Sequence, residues 1–155
     1  MKKTRHQVFE TNSSSVHTLV IKASDSYKVE LERVQENPNI VVGHCMDYSK
    51  VGHTEPYLIT TQQEKFNYIV TWLVVRSQYT YEPLEESWIY ANVLAALNKV
   101  DPAIEAIKPM EEDLADFDHQ TAPHSESDSV IDMWDEDAIC EFIFNDNITL
   151  KCTFD

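Results

Sequence analysis

Polar side chains suited to nucleophilic or acid–base chemistry are concentrated near the start of the chain, where residues 10–17 read ETNSSSVH. Ser15 and His17 lie on the same face of an extended strand, because side chains alternate along a strand. A serine becomes a nucleophile when a base such as histidine is within hydrogen-bond reach, and Glu10 adds a carboxylate. The remaining candidates in this segment are the binding residues Asn12, Ser13 and Ser14. The same groups could instead bind a phosphate or a sugar, or close a hairpin turn through hydrogen bonds to the backbone.

A second candidate is the triplet Asp118-His119-Gln120. An aspartate next to a histidine is a common orienting pair, and histidine suits acid–base work near neutral pH. Neighbouring carboxylates should raise the pKa of His119. The competing interpretation is a solvated loop in an acidic region. If the triplet meets residues 10–17 in space, a hydrolytic or phosphate-handling site becomes plausible.

Metal and cofactor chemistry is disfavoured by spacing. The candidate ligands are His44, Cys45, His53, Asp118, His119 and His124. No pair among them has the spacing of a zinc finger or of an H-E-x-x-H helix. The chain contains two glycines, which excludes a glycine-rich phosphate loop. We therefore expect no metal and no cofactor.

The formal net charge of −15 is unevenly distributed along the chain. Residues 101–155, here called the acidic third, contain 16 acidic residues against Lys108 and Lys151, whereas residues 1–100 contain 11 acidic and 10 basic residues. Between positions 111 and 141 there is no lysine or arginine. The candidate binding carboxylates in this stretch are Glu126, Asp128, Asp132, Asp135, Glu136 and Asp137.

Two interpretations of the acidic third stay open. One is that the charge keeps the protein in solution. The other is that the carboxylates imitate the phosphates of a nucleic acid and fill the groove of a basic protein that handles nucleic acid. Direct binding of nucleic acid by this chain is disfavoured by the same charge, and the oligomeric state is not predicted.

The elements that must position these residues indicate an α+β fold, with a small antiparallel sheet and two to three helices packed on one face. Predicted strands cover residues 5–10, 16–22, 27–34, 40–46, 57–60 and 148–154. Thr61-x-x-Glu64 is a capping box before a predicted helix that Tyr79-Thr80-Tyr81 ends in extended conformation. Its apolar positions are Phe66, Ile69, Val70 and Leu73, widened by Trp72, Val74 and Val75, which predicts a central helix. Further helices are predicted at 83–100, 103–108 and 130–144, with a polar connection at 111–129. The last of these helices is predicted from apolar residues that recur at helical spacing, namely Ile131, Trp134, Ala138, Ile139, Phe142 and Ile143.

Length and composition predict one domain over residues 1–155, with the acidic loop and helix at about 111–144. Hydrophobic residues make up 43% of the chain, which is enough to form a core. The three cysteines have no C-x-x-C spacing, and we expect reduced thiols rather than a disulfide. We expect no signal peptide, and no apolar run is long enough for a membrane span. The sequence therefore predicts a cytoplasmic protein that makes no membrane contact.

Three patches resemble a known group. Arg5, Val8-Phe9-Glu10-Thr11-Asn12-Ser13-Ser14-Ser15 and His17 resemble the N-terminal signature of small uncharacterised phage and prophage proteins. Asp118-His119-Gln120 and Phe142-Ile143-Phe144-Asn145 are similar to later motifs of the same proteins. The resemblance implies a phage accessory gene acting inside a bacterial cell, and it favours one shared site for residues 10–17 and 118–120. It implies no particular reaction.

These observations support two hypotheses about function. In the first, the chain is a phage-type accessory protein that inhibits a nucleic-acid-handling defence protein of the host through its acidic third. In the second, it is a small enzyme or a protein that binds a nucleotide or phosphate ligand at a polar Ser/His/Asp site. The first hypothesis is favoured because charge segregation is observed in the sequence, whereas the catalytic geometry requires residues far apart in the chain to meet.

Overall fold

The computed structural model describes residues 27–50, 55–117 and 130–152 in full, and the backbone alone of 6–10, 15–20 and 153–154. Within these residues the helices are α1 (Gln62–Thr80), α2 (Trp88–Val100) and α3 (Glu136–Phe144). The strands are β1 (His6–Glu10), β2 (Ser15–Val20), β3 (Ile40–His44), β4 (Tyr57–Ile59), β5 (Ala106–Met110) and β6 (Thr149–Phe154). The predicted α+β class is confirmed.

The larger sheet has the strand order β1-β2-β6-β4, and each of its neighbouring pairs is antiparallel. The predicted hairpin at the start of the chain is confirmed, because β1 pairs with β2 in a register that sets Phe9 opposite His17. β6 continues the sheet on the other side of β2 and sets Cys152 opposite His17. The closing strand that the sequence predicts at 148–154 is therefore an interior strand of the sheet.

A second, two-stranded sheet was not predicted. β3 and β5 run parallel, with Val41 opposite Ile107. The helix predicted at 103–108 is wrong, since this segment joins a turn to a strand whose Ile107 is buried. The strand predicted at 27–34 is also wrong, because that segment makes a single bridge between Arg33 and Val41. At 103–108, pairing with β3, more than sixty residues earlier, decided the backbone conformation. At 27–34, the Glu30 and Glu32 amides donate to the side chains of Gln62 and Gln63 instead of to a neighbouring strand.

Helix α1 is the centre of the packed interior. The capping box is present: the Thr61 hydroxyl accepts a hydrogen bond from the Glu64 amide, and the Glu64 carboxylate accepts one from the Thr61 amide. The predicted apolar positions are all buried, namely Phe66, Ile69, Val70, Leu73, Trp72, Val74 and Val75. Buried residues therefore lie on every side of α1, as expected of a central helix. The helix continues through Thr80, where the sequence predicts extended backbone, and ends at Tyr81.

β3 approaches α1 so closely that one position requires glycine. A Cβ atom added at Gly43 would lie 2.4 Å from Cγ2 of Val70. The Asn67 side chain accepts a hydrogen bond from the His44 amide at 2.9 Å, and the Thr71 hydroxyl accepts one from the Met46 amide at 3.1 Å. Side chains one helical turn apart on α1 thus fix the backbone at and just beyond the end of β3.

Helix α3 is shorter than predicted. The sequence predicts a helix over 130–144, but α3 begins at Glu136 because Asp135 is its N-cap. The helix buries Ile139, Phe142 and Ile143 against the interior. It packs against α2 and α1, and Tyr27 also contacts it through Glu141 and Phe144. Cys45, Cys140 and Cys152 are buried free thiols. Among the described residues, no helix combines the length and apolarity that a membrane crossing requires.

Candidate functional surface

The residues leading into α3 lie along one face of α2. The Trp134 ring stacks on that of Trp88, with centroids 3.4 Å apart and planes 13° from parallel. The side-chain amide of Asn92 donates to the Met133 carbonyl at 3.0 Å, and the Lys99 ammonium contacts the Asp137 carboxylate at 2.7 Å. Positions 88, 92 and 99 share one helix face, since four and eleven residues are close to whole numbers of turns. The segment therefore follows α2 for about 16 Å.

Two carboxylates on this segment are fixed by backbone hydrogen bonds. Oδ1 of Asp132 accepts from the Trp134 amide at 3.0 Å. Oδ1 of Asp135 accepts from the Asp137 and Ala138 amides at 2.9 and 3.2 Å. The second pattern is an N-cap, which satisfies amides that a helix leaves without carbonyl partners at its start. Both side chains consequently hold one orientation while lying at the exposed surface.

Lys99 neutralises part of the charge at the start of α3. Its ammonium lies 3.3 Å from a Glu136 carboxylate oxygen and 2.7 Å from one of Asp137. The hydrogen bond to Asp137 is the largest cause of an upward shift in the pKa of Lys99, which keeps the ammonium charged. One positive charge thus faces two carboxylates. With Asp132 and Asp135 included, negative charge remains in excess.

Trp134 was predicted from helical spacing to be part of the apolar side of a helix, and this is wrong. The residue is 61% exposed, whereas Met133 beside it is 1% exposed. The turn before α3 directs Ile131 and Met133 into the interior and leaves Trp134 outside. We call the set Asp132, Trp134, Asp135, Glu136 and Asp137 the acidic face. Four of its five residues are candidate binding residues from the sequence; Trp134 is the one that sequence reasoning missed.

The N-terminal candidate residues are described only through their backbone. Glu10 ends β1 opposite Val16, and Ser15 begins β2 opposite Phe154. The register sets His17 opposite Phe9, not opposite Glu10. The remaining candidates are outside the described residues: Asn12, Ser13, Ser14, Asp118, His119, Gln120, Glu126 and Asp128. A shared site formed by residues 10–17 and 118–120 stays a prediction.

A second cluster, around His44, was considered in the sequence only for metal binding. Nδ1 of His44 lies 2.8 Å from Oε2 of Glu111, and Nε2 lies 2.9 Å from Oε2 of Glu32. Hydrogen bonds to Glu32 and then Glu111 raise the pKa of His44 above its ordinary value. Glu111 adopts left-handed backbone with φ of 52°, which a residue other than glycine rarely does. The imidazole therefore connects the near-neutral part of the chain to the acidic third.

The His44 cluster has two carboxylates and one imidazole, all involved in bonds to one another. Over residues 27–50, 55–117 and 130–152, no group of three or more His, Cys, Asp or Glu side chains has an arrangement that could hold a metal ion. The chemistry that this cluster supports is pH-dependent pairing, because the ion pairs exist only while the imidazole is protonated.

Comparison with known proteins gives no relative: no family model matches the chain, no curated protein matches it, and no solved structure matches it.

Proposed function

We propose that this chain is a phage-type accessory protein that inhibits a basic, nucleic-acid-handling protein of a bacterial host, such as a defence nuclease, by occupying its nucleic-acid groove. The observation that carries the proposal is the segregation of charge, with 16 acidic residues against two lysines in the acidic third. On the acidic face, the exposed carboxylates of Asp132 and Asp135 are held in fixed positions by backbone amides. A basic groove is the partner surface that such an arrangement complements.

The acidic face presents closely spaced negative charges, the property of a nucleic acid that a basic groove binds. Duplex DNA presents one negative charge per ~1.7 Å along its axis, and proteins that neutralise those charges release bound counterions. The four carboxylates of the acidic face lie on a segment whose contacts with α2 extend from Trp88 to Lys99, a rise of about 16 Å along the helix, and they all have the same sign. These charges are sparser than those of DNA, so we expect exposed carboxylates elsewhere in the acidic third, such as Glu112 and Asp113, to contribute to binding.

Internal pairing reduces this charge without removing it. Lys99 faces Glu136 and Asp137, and the positive end of the α3 dipole offsets a further fraction of a charge. Four carboxylates therefore retain a net negative charge after one ammonium and a partial dipole charge are counted. Because the pairing with Lys99 is at the surface, a partner cation can compete with it at a cost of under about 1 kcal/mol.

The proposal is tested by competition with DNA. A bacterial extract is bound to immobilised duplex DNA, and the column is eluted with the purified chain at several salt concentrations. We expect the wild-type chain to release one or a few basic proteins at low salt, with release falling steeply as salt rises, because paired charges are screened. The variant D132N/D135N/D137N should release much less, and asparagine keeps the cap at position 135.

A charge-matched variant serves as the control. E30Q/E36Q/E55Q removes three exposed carboxylates from the first hundred residues and changes the net charge by the same amount. This control should elute the same proteins as the wild type. Elution of nothing by the wild-type chain, or equal loss with both triple variants, would contradict the proposal.

A further inference from the structure

The exposed indole of Trp134 lies against a second indole, and this contact fixes its plane. Its ring is 13° from parallel with that of Trp88, at a centroid separation of 3.4 Å. Trp88 itself is partly buried and belongs to α2, so the lower ring is attached to the packed interior. An exposed tryptophan with a fixed plane is pre-organised for binding, because little side-chain entropy is lost when a partner covers it.

We infer that Trp134, together with Asp132 and Asp135, binds an arginine side chain of the partner. The identity of the partner as a basic protein rests on the proposed function. The chemistry of the contact rests on the residues themselves: a guanidinium stacks on the indole while its N–H groups donate to the neighbouring carboxylates. Tryptophan and arginine are the residue types that most often dominate the binding energy of an interface.

The carboxylates next to Trp134 in the chain can accept the hydrogen bonds that a guanidinium donates. Asp132 and Asp135 both use Oδ1 for backbone amides. In the part of the chain that the structure describes, Oδ2 of neither residue has a hydrogen bond or an ion pair. A carboxylate oxygen accepts further hydrogen bonds, and those to a charged donor are the stronger ones. Two oriented acceptors therefore lie on either side of Trp134 in the chain, two residues before it and one residue after it.

Charge complementarity with a cation is already present on this face. Lys99 of the same chain pairs with Glu136 and Asp137, immediately beside Asp135. Lysine suffices there because the contact has no aromatic component. At Trp134 an arginine is favoured over a lysine, since the guanidinium is planar, is weakly hydrated and stacks on aromatic faces, whereas an ammonium is a compact, strongly hydrated charge.

The test compares two peptides of equal charge, eight arginines and eight lysines, by fluorescence anisotropy of a labelled peptide at low salt. The wild-type chain should bind the arginine peptide about two- to fivefold more tightly, the range expected for a cation–π contact at an exposed site. W134L retains apolar cover over Trp88 but has no aromatic face. We expect this variant to bind both peptides equally, with the lysine peptide bound as in the wild type.

Tyr81→Ala is the matched control, because it removes another exposed aromatic residue, 93% exposed, at the end of α1. This variant should keep the preference for arginine. Should W134L alter the circular dichroism spectrum, D132N/D135N provides the second test, because asparagine at both positions can retain the three backbone hydrogen bonds of these residues. This variant should weaken binding of the arginine peptide more than binding of the lysine peptide. An arginine preference that is unchanged in either variant, or that is absent from the wild type, would overturn the inference. Failure of the DNA-column elution alone would instead remove the proposed partner.

Discussion

The two ends of α3 both pair with a lysine from another helix, yet they do so in opposite settings. At the C-terminal end, Lys65 of α1 is 0% exposed and donates to the carbonyls of Asn145 and Ile148 at 2.8 and 3.4 Å. At the N-terminal end, Lys99 of α2 is exposed between Glu136 and Asp137. Both arrangements match the helix dipole, which favours cations at the C-terminus and anions at the N-terminus.

The two ends of α3 differ in how many of their charged side chains the fold requires. At the buried end, one ammonium serves two carbonyls, and burial lowers the pKa of Lys65. At the exposed end, one aspartate is enough for the N-cap, but four carboxylates are present together with an exposed tryptophan. Because capping and dipole interactions account for only part of this set, the surplus is the feature that we assign to partner binding.

The largest contrast between the two ends is expected in the stability that is lost when a packed side chain is replaced. Phe142 is 1% exposed and Trp134 is 61% exposed. Phe142→Ala should destabilise the fold by about 3–5 kcal/mol, through lost burial and a cavity. W134L should cost under about 1.5 kcal/mol, the value of an aromatic pair beyond its burial. Urea denaturation measures both. Equal costs would mean that Trp134 is a core residue.

The second-largest contrast in stability is expected between substitutions of Lys65 and Lys99. Lys65→Met removes a buried ammonium that donates two hydrogen bonds at the C-terminal end of α3, and we expect a loss of about 1–3 kcal/mol in the free energy of unfolding. Lys99→Met removes a surface pair and should cost under about 1 kcal/mol. The same denaturation experiment compares them. If Lys65→Met were as stable as the wild type, Lys65 would contribute nothing to the end of α3.

Two substitutions of Asp135 distinguish its role as the N-cap of α3 from its role in binding. Asp135→Ala removes the N-cap acceptor and should cost about 1 kcal/mol of stability, whereas Asp135→Asn retains an acceptor and should cost a few tenths. Both substitutions remove the charge, so both should weaken binding of the arginine peptide to a similar extent. Binding that follows stability, with asparagine equal to the wild type, would assign Asp135 to capping alone.

His44 gives the smallest effect and tests a pairing outside α3. Its folded-state pKa is raised by Glu32 and Glu111. The stabilisation is therefore complete below the unfolded-state value of about 6.5 and is lost as pH rises through the folded-state pKa. His44→Gln should lower the free energy of unfolding at pH 5.5 by under about 1 kcal/mol, because the ring is partly exposed, and by less at pH 8.5. A difference from wild type that is the same at both pH values would contradict this pairing.

Local signals in the sequence predicted the local structure well. The capping box at Thr61 and the apolar spacing after it gave the start and the burial of α1, since both are encoded within a few turns. The strand character of β2 and β3 followed from their β-branched residues. For α3, apolar spacing predicted the helix but extended it over 130–135, where the aspartates form turn and cap instead.

The features that were not predicted from the sequence depend on contacts between residues far apart in the chain. β5 holds Pro109 and alternates weakly, and its pairing with β3 closes a loop of more than sixty residues. Lys65 looks like a solvated residue in a helix, because nothing local indicates that α3 ends against it. The carboxylates around His44 come from positions 32 and 111. Trp134 fits an apolar period, so only the fold reveals that it is exposed.

The central claim is that the acidic face, and not net charge as such, is what a basic partner contacts. The most direct measurement is the affinity for the eight-arginine peptide of the two triple variants, each of which raises the net charge of −15 by three. We predict that D132N/D135N/D137N binds about tenfold more weakly than the wild type, as expected for three surface pairs of about 0.5 kcal/mol each, and that E30Q/E36Q/E55Q changes affinity by less than about twofold. Equal weakening of both variants would contradict the claim, because it would make position on the surface irrelevant.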